Sequence, residues 1–181
     1  MNPDLQVGTF APHLGWALSV AIGWLVIGVL GLVGARSFTF VSKVLFPAGS
    51  VVGLCLAVVA LLALPGAPEA AQLPLGLPGL PFHFRLDALS AFFLFVIGAA
   101  ATGVSLFASG YFRRGEGTPP GILCFEYHLF LASMALVVLA DDAYCFMVMW
   151  ETMALSSFFL VTANHRVPEI RRAGYLYLLL A

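Results

Sequence analysis

Long apolar runs separated by short polar joints set the pattern of this chain. A helix needs about 20 apolar residues to cross a hydrocarbon layer of about 30 Å. Five runs meet that length, at Leu14–Ala35, Val44–Leu64, Ala88–Ser109, Ile122–Ala140 and Ala143–Thr162. A sixth starts near Ile170 and runs to the last residue, Ala181. None shows the two-residue alternation of a lipid-facing barrel strand. Backbone groups in lipid must be satisfied within their own segment, so the runs are predicted to be helices. The expected fold class is all-α: a polytopic transmembrane helix bundle with five complete spans plus the start of a sixth.

The joints add two expectations. Arg36 and Lys43 lie between spans one and two, Arg113 and Arg114 between three and four, and Arg166, Arg171 and Arg172 between five and six. These alternate joints hold all the Lys and Arg except Arg85. The positive-inside rule makes them cytoplasmic, so the amino terminus, the 65–87 loop and the Asp141–Asp142 turn face outward. The outer loop PGAPEAAQLPLGLPGLPFHFRLD is too proline-rich to be a helix. Its end alternates Phe82, Phe84 and Leu86 with His83, Arg85 and Asp87, which predicts a short strand on the membrane surface. Asp87 stands just before the third span, where a helix N-cap belongs.

Composition narrows the function classes. The chain is 61% hydrophobic and 9% charged, whereas a soluble domain has about 25% charged residues. A net charge of −1 and the lack of a basic patch argue against a nucleic-acid partner. The flank MNPDLQVGTFAPHLG has no Lys or Arg, and a full-length span follows it, unlike a secretory signal. Cys55, Cys124 and Cys145 are scattered, as are His13, His83, His128 and His165, so no metal site is expected.

The informative residue is Glu151, in CFMVMWETMALSSFFLV. It lies eight residues into its span, about 12 Å deep at 1.5 Å per residue. A charge there costs about 2.5–3.5 kcal/mol on insertion scales, and intramembrane carboxylates mark proton or ion paths. Its helical neighbours Met147, Val148, Ala154 and Leu155 cannot pair with it, so a partner must come from another helix. The plainer alternative is a neutral acid serving as an interhelical hydrogen-bonding group. Span four adds Glu126, near enough to the cytoplasmic end to snorkel toward water, and His128, a ring suited to proton exchange or to a structural role. Ser156 and Ser157 follow Glu151 by a turn or more, where they either allow close packing or hold water. The candidate proton path is therefore Glu151, Glu126, His128, Ser156 and Ser157. No lysine follows Lys43, so no lysine in this sequence reaches the depth of Glu151.

Three stretches resemble the antiporter-like membrane subunits of the respiratory complex I and energy-converting hydrogenase superfamily. They are RLDALSAFFLF, LVVLADDAYCFMVMWETMALSSFFLV and RRAGYLYLLLA. The resemblance covers Arg85–Ala181 well, whereas the first two spans match only in position and hydropathy. ALSSFFLV and the final stretch lean toward the membrane subunit of formate-hydrogenlyase-type hydrogenases. Quinone-oxidoreductase subunit L and Mrp-type Na⁺/H⁺ antiporter subunits are close alternatives. The resemblance places the family's key glutamate at Glu151. Members have about fourteen helices in inverted repeats, with a paired lysine on a later, broken helix. The chain is accordingly read as an amino-terminal fragment. Residues 1–110 form a three-helix region with the outer loop 65–87, and residues 111–181 open the antiporter-like repeat.

The resemblance implies a non-catalytic subunit of an oxidoreductase in the bacterial inner membrane. It would hold no cofactor and would move protons or sodium. Its partners would be other membrane-arm subunits, a peripheral redox arm and the bilayer. A structural membrane anchor without transport is the third reading.

Overall fold

A computed structural model describes residues 11–35, 37–111 and 118–180. The start of the amino terminus, Arg36, Arg113, Arg114 and Ala181 lie outside the described residues, so the orientation argument built on the first four is not addressed by the fold.

The helices are α1 (Pro12–Val33), α2 (Phe38–Ala63), α3 (Ala88–Tyr111), α4 (Pro120–Leu139), α5 (Ala143–Val161) and α6 (Pro168–Leu180). The first five are long and apolar enough to cross a membrane. This is a multi-pass helical membrane bundle. Most ends fall within a few residues of the expected ones. The exception is α2, which begins at Phe38 rather than Val44. Its first turns widen into a π-helical stretch at Val41–Leu45, where the Phe46 N–H bonds Val41 O. Pro47 follows at once. A proline inside a helix has no N–H to offer and crowds the carbonyl four residues back, and a wide turn relieves both problems.

The 65–87 loop is a β-hairpin of β1 (Glu69–Leu77) and β2 (Leu80–Leu86). The strands are antiparallel, with Glu69 opposite Leu86 and Leu73 opposite Phe82, and an irregularity lies between Leu73 and Gly76. Pro74, unable to donate to a ladder, sits in that irregularity. Gly76 takes a φ of +115°, which only glycine adopts without strain. Phe82, Phe84 and Leu86 point into the core, as the alternation predicts.

The hairpin is tied to three helices. Glu69 accepts from His13 Nδ1–H at 2.8 Å and from Leu14 N–H at 2.7 Å, and so occupies the free amides at the start of α1. His83 N–H donates to Asp142 Oδ2 at 2.8 Å, and Asp141 N–H donates to His83 O at 2.9 Å. Arg85 lies 3.6 Å from the Asp141 carboxylate and 4.0 Å from that of Asp87. The Asp87 Oδ1 accepts the Ser90 N–H at 2.9 Å and caps α3. Asp142 caps α5 through Cys145 N–H at 2.7 Å.

Between the helices, small residues set the approach. A Cβ on Gly98 of α3 would lie 2.7 Å from Gly53 O and 2.6 Å from Ala57 N of α2. A Cβ on Gly31 of α1 would lie 2.9 Å from Cys124 Cβ of α4. With lipid as solvent, such close backbone packing replaces the hydrophobic drive between helices. Thr102 and Ser50 add a hydrogen bond across the α2–α3 seam, Ser50 Oγ donating to Thr102 O at 3.0 Å.

Candidate functional site

Glu151 sits on the α5 face turned away from α4. The α5 residues buried in the bundle are Cys145 and Ser156, about 120° and 140° around the helix from Glu151 at 100° per residue. Glu151 itself is exposed, within a stripe that includes Met147 at 51% and Leu155 at 52%. It has no hydrogen bond and no ion pair among the described residues. Its helix is held at its amino-terminal end, where Asp142 joins the α5 cap to the hairpin. A carboxyl group facing acyl chains would bear the full insertion cost.

The other predicted residues do not converge on it. His128 is fully buried and turns toward α1 and α2. Its Nδ1 meets Cys124 O at 2.8 Å. A carbonyl only accepts, so Nδ1 carries the proton. Nε2 is buried without a partner among the described residues and lies against Gly49, where a Cβ would collide with it. Phe46 and Tyr127 stack around the ring at centroid distances of 5.7 and 5.2 Å. Glu126, two residues earlier on α4, points to another side of the helix. It is half-buried, and its Oε2 has no hydrogen-bond partner among the described residues.

The serines lie nearer to Glu151 along the chain but are already bonded. Ser156 Oγ donates to Thr152 O at 2.8 Å. Ser157 Oγ lies 2.9 Å from Ala154 O and is also bonded to the Tyr177 hydroxyl of α6. Tyr177 OH reaches Ala154 O as well, at 3.5 Å. That hydroxyl therefore stands about one helical turn from Glu151. It was not singled out in the sequence, because YLYLLL reads only as a span. Trp24 was also missed; its Nε1–H donates to Gly49 O at 3.2 Å, beside the His128 ring. The Ser105–Tyr127 hydroxyl pair, 3.0 Å apart, was missed for the same reason.

Charges at the hairpin end are well defined. Partial burial pushes the Glu69 carboxyl up, but the Leu14 and His13 hydrogen bonds outweigh it and hold the group below its ordinary value. The Ser90 amide does the same for Asp87, and the Cys145 and His83 amides do so for Asp142. Among the described residues no cluster of His, Cys, Asp and Glu could hold a metal ion.

No protein-family model matches the chain. It is 39% identical over 106 residues to hydrogenase-4 component B of Escherichia coli K12, a match covering 56% of this chain and 16% of that protein. It is 36% identical over 89 residues to NADH-quinone oxidoreductase subunit L of the same organism, covering 49% and 14%. An uncharacterized protein of Mycobacterium tuberculosis, Rv0083, is 38% identical over 96 residues, covering 52% and 14%. The chain thus spans about one-sixth of the length of the curated relatives it matches. In fold it is similar to a chain of the membrane-bound sulfane sulfur reductase, an archaeal respiratory membrane complex. The TM-score is 0.65 at 18% identity, covering 89% of this chain and 34% of that one. These relatives agree with the resemblance to antiporter-like subunits.

Proposed function

We propose that the chain belongs to a proton-translocating, antiporter-like membrane subunit of a multi-subunit oxidoreductase of the hydrogenase or NADH-quinone type. The observation that carries this reading is Glu151: an acidic side chain near the bilayer midplane, on a helix face that the described residues leave uncovered. The cost of a carboxylate in lipid is met only if protein or water covers that face. A subunit of a larger membrane assembly meets this requirement, and the relatives named above are of that kind. Glu151 then receives a proton from one side and passes it to a basic partner outside this sequence. Glu126 and His128 belong to the same proposal as acid–base groups on the neighbouring helix, and Ser156 and Ser157 as hydroxyls along α5. They act through water, because no direct bond links them to Glu151. The basic joints face the cytoplasm and the hairpin faces outward. Residues 1–110 form the support and residues 111–181 the start of the conducting unit.

The test is Glu151→Gln in the assembled complex, in closed vesicles with a pH-sensitive dye and the oxidoreductase driven by its electron donor. The expected result is loss of most redox-driven proton uptake with unchanged subunit content. Proton uptake equal to the parent would leave only the anchor reading.

A further inference from the structure

At the end of the bundle opposite the hairpin, α2 to α6 line a half-open cavity of about 1140 Å³. Ligand sites for small molecules are commonly about 300–1,000 Å³, so this one has room for a large amphiphile. Its two sides differ in chemistry. Phe107, Leu160 and Val161 form an accessible apolar floor. Tyr111, Asn164 and Arg166 line the cavity with exposed polar groups. Arg166 has no ion-pair partner among the described residues. Gly110 of α3 also lines the cavity, and a Cβ there would meet nothing within 4 Å.

A free anion would use Arg166 but leave the apolar floor bare. A neutral chain would fill the floor but leave Arg166 without a counter-charge. An anionic lipid uses both, and basic pockets between membrane helices bind such headgroups. We propose that this cavity is a binding site for an anionic phospholipid. One acyl chain lies over Phe107, Leu160 and Val161, the phosphate meets the Arg166 guanidinium, and the Asn164 amide donates to it. The site is independent of the proton path and stands or falls apart from it.

Native mass spectrometry of the protein in an equimolar mixture of phosphatidylglycerol and phosphatidylcholine tests this. The parent should retain phosphatidylglycerol preferentially. Arg166→Gln should reduce that preference about fivefold, the effect of one cation close to an anionic membrane surface. Gly110→Leu changes no charge and enters open space, so it should displace the acyl chain and lower retention of the bound lipid. Arg171→Gln removes the same charge from a side chain that instead donates to His165 O at 3.2 Å, and should leave the preference intact. The proposal is overturned if Arg166→Gln or Gly110→Leu retains phosphatidylglycerol like the parent, or if Arg171→Gln matches the loss in Arg166→Gln. Displacement of the lipid by millimolar inorganic phosphate alone would also overturn it, by making the site one for a free anion.

Discussion

A carboxyl group near the middle of a bilayer is stable only where something other than lipid faces it. Glu151 sets that condition for its helix. The buried imidazole of His128 illustrates a second residue-level constraint. Its ring fills the space beside Gly49, wedged between Phe46 and Tyr127, so even one added methyl group at that glycine has nowhere to go. Gly49→Ala is expected to destabilise the fold by about 1–3 kcal/mol, the usual cost of overpacking. Placing Gly49→Ala in a His128→Ala background should remove most of that cost. Thermal unfolding in detergent across this double-mutant cycle checks it; equal costs in the two backgrounds would mean the imidazole is not what Gly49 accommodates. Gly98→Val probes the α2–α3 seam in the same way. It would press on backbone atoms, which cannot swing aside as a side chain can, and should cost at least as much as Gly49→Ala.

At the scale of elements, the spans were legible because lipid imposes one simple rule on twenty residues at a time. The alternation Phe82, Phe84, Leu86 revealed β2 for a similar reason: one face of the strand is wet and the other buried. Strand β1 was not legible. EAAQLPLGL carries a proline and no clean period, and its strand state comes from pairing with β2 rather than from its own pattern. The π-helical entry to α2 was hidden too, because it depends on how Pro47 is accommodated. The contacts of His13 with Glu69 and of His83 with Asp142 span 56 and 59 positions, and no local signal joins residues so far apart.

The hairpin anchor should respond to acid. Glu69, Asp87 and Asp142 are all held below their ordinary values when folded. A depressed carboxyl contributes stability that is fully present above its unfolded value and is lost as pH falls through the folded one. Amide hydrogen exchange in residues 69–86 should therefore be steady from neutral pH to about 5, after correction for intrinsic rates, and lose protection below about 4. Protection that falls between pH 7 and 5 instead would contradict the role given to these carboxylates. Asp142→Ala removes the α5 cap and the His83 tie together and should loosen the hairpin at every pH.

For the molecule as a whole, coverage is uneven. Helices α1 to α4 interlock through small residues, while α5 buries two side chains and α6 only Gly174. The sequence indicated which residue was chemically unusual, since a lone acid in an apolar run needs no structure to be noticed. It did not indicate which way that residue faces. Orientation depends on which side of α5 packs against α4, and Cys145 and Ser156 make that choice. Nor did it separate His128 from Glu126, which sit two positions apart and look toward different neighbours.

The most direct measurement is whether water reaches position 151 in the assembled membrane complex. With Cys55, Cys124 and Cys145 replaced by alanine, Glu151→Cys would be treated with a charged, membrane-impermeant thiol reagent and, separately, with a lipid-soluble one. If Glu151 lies on a proton path, the charged reagent reacts from at least one side. Reaction of Glu151→Cys with the lipid-soluble reagent alone would place that side chain among acyl chains, cut off from water, and contradict a role in moving protons.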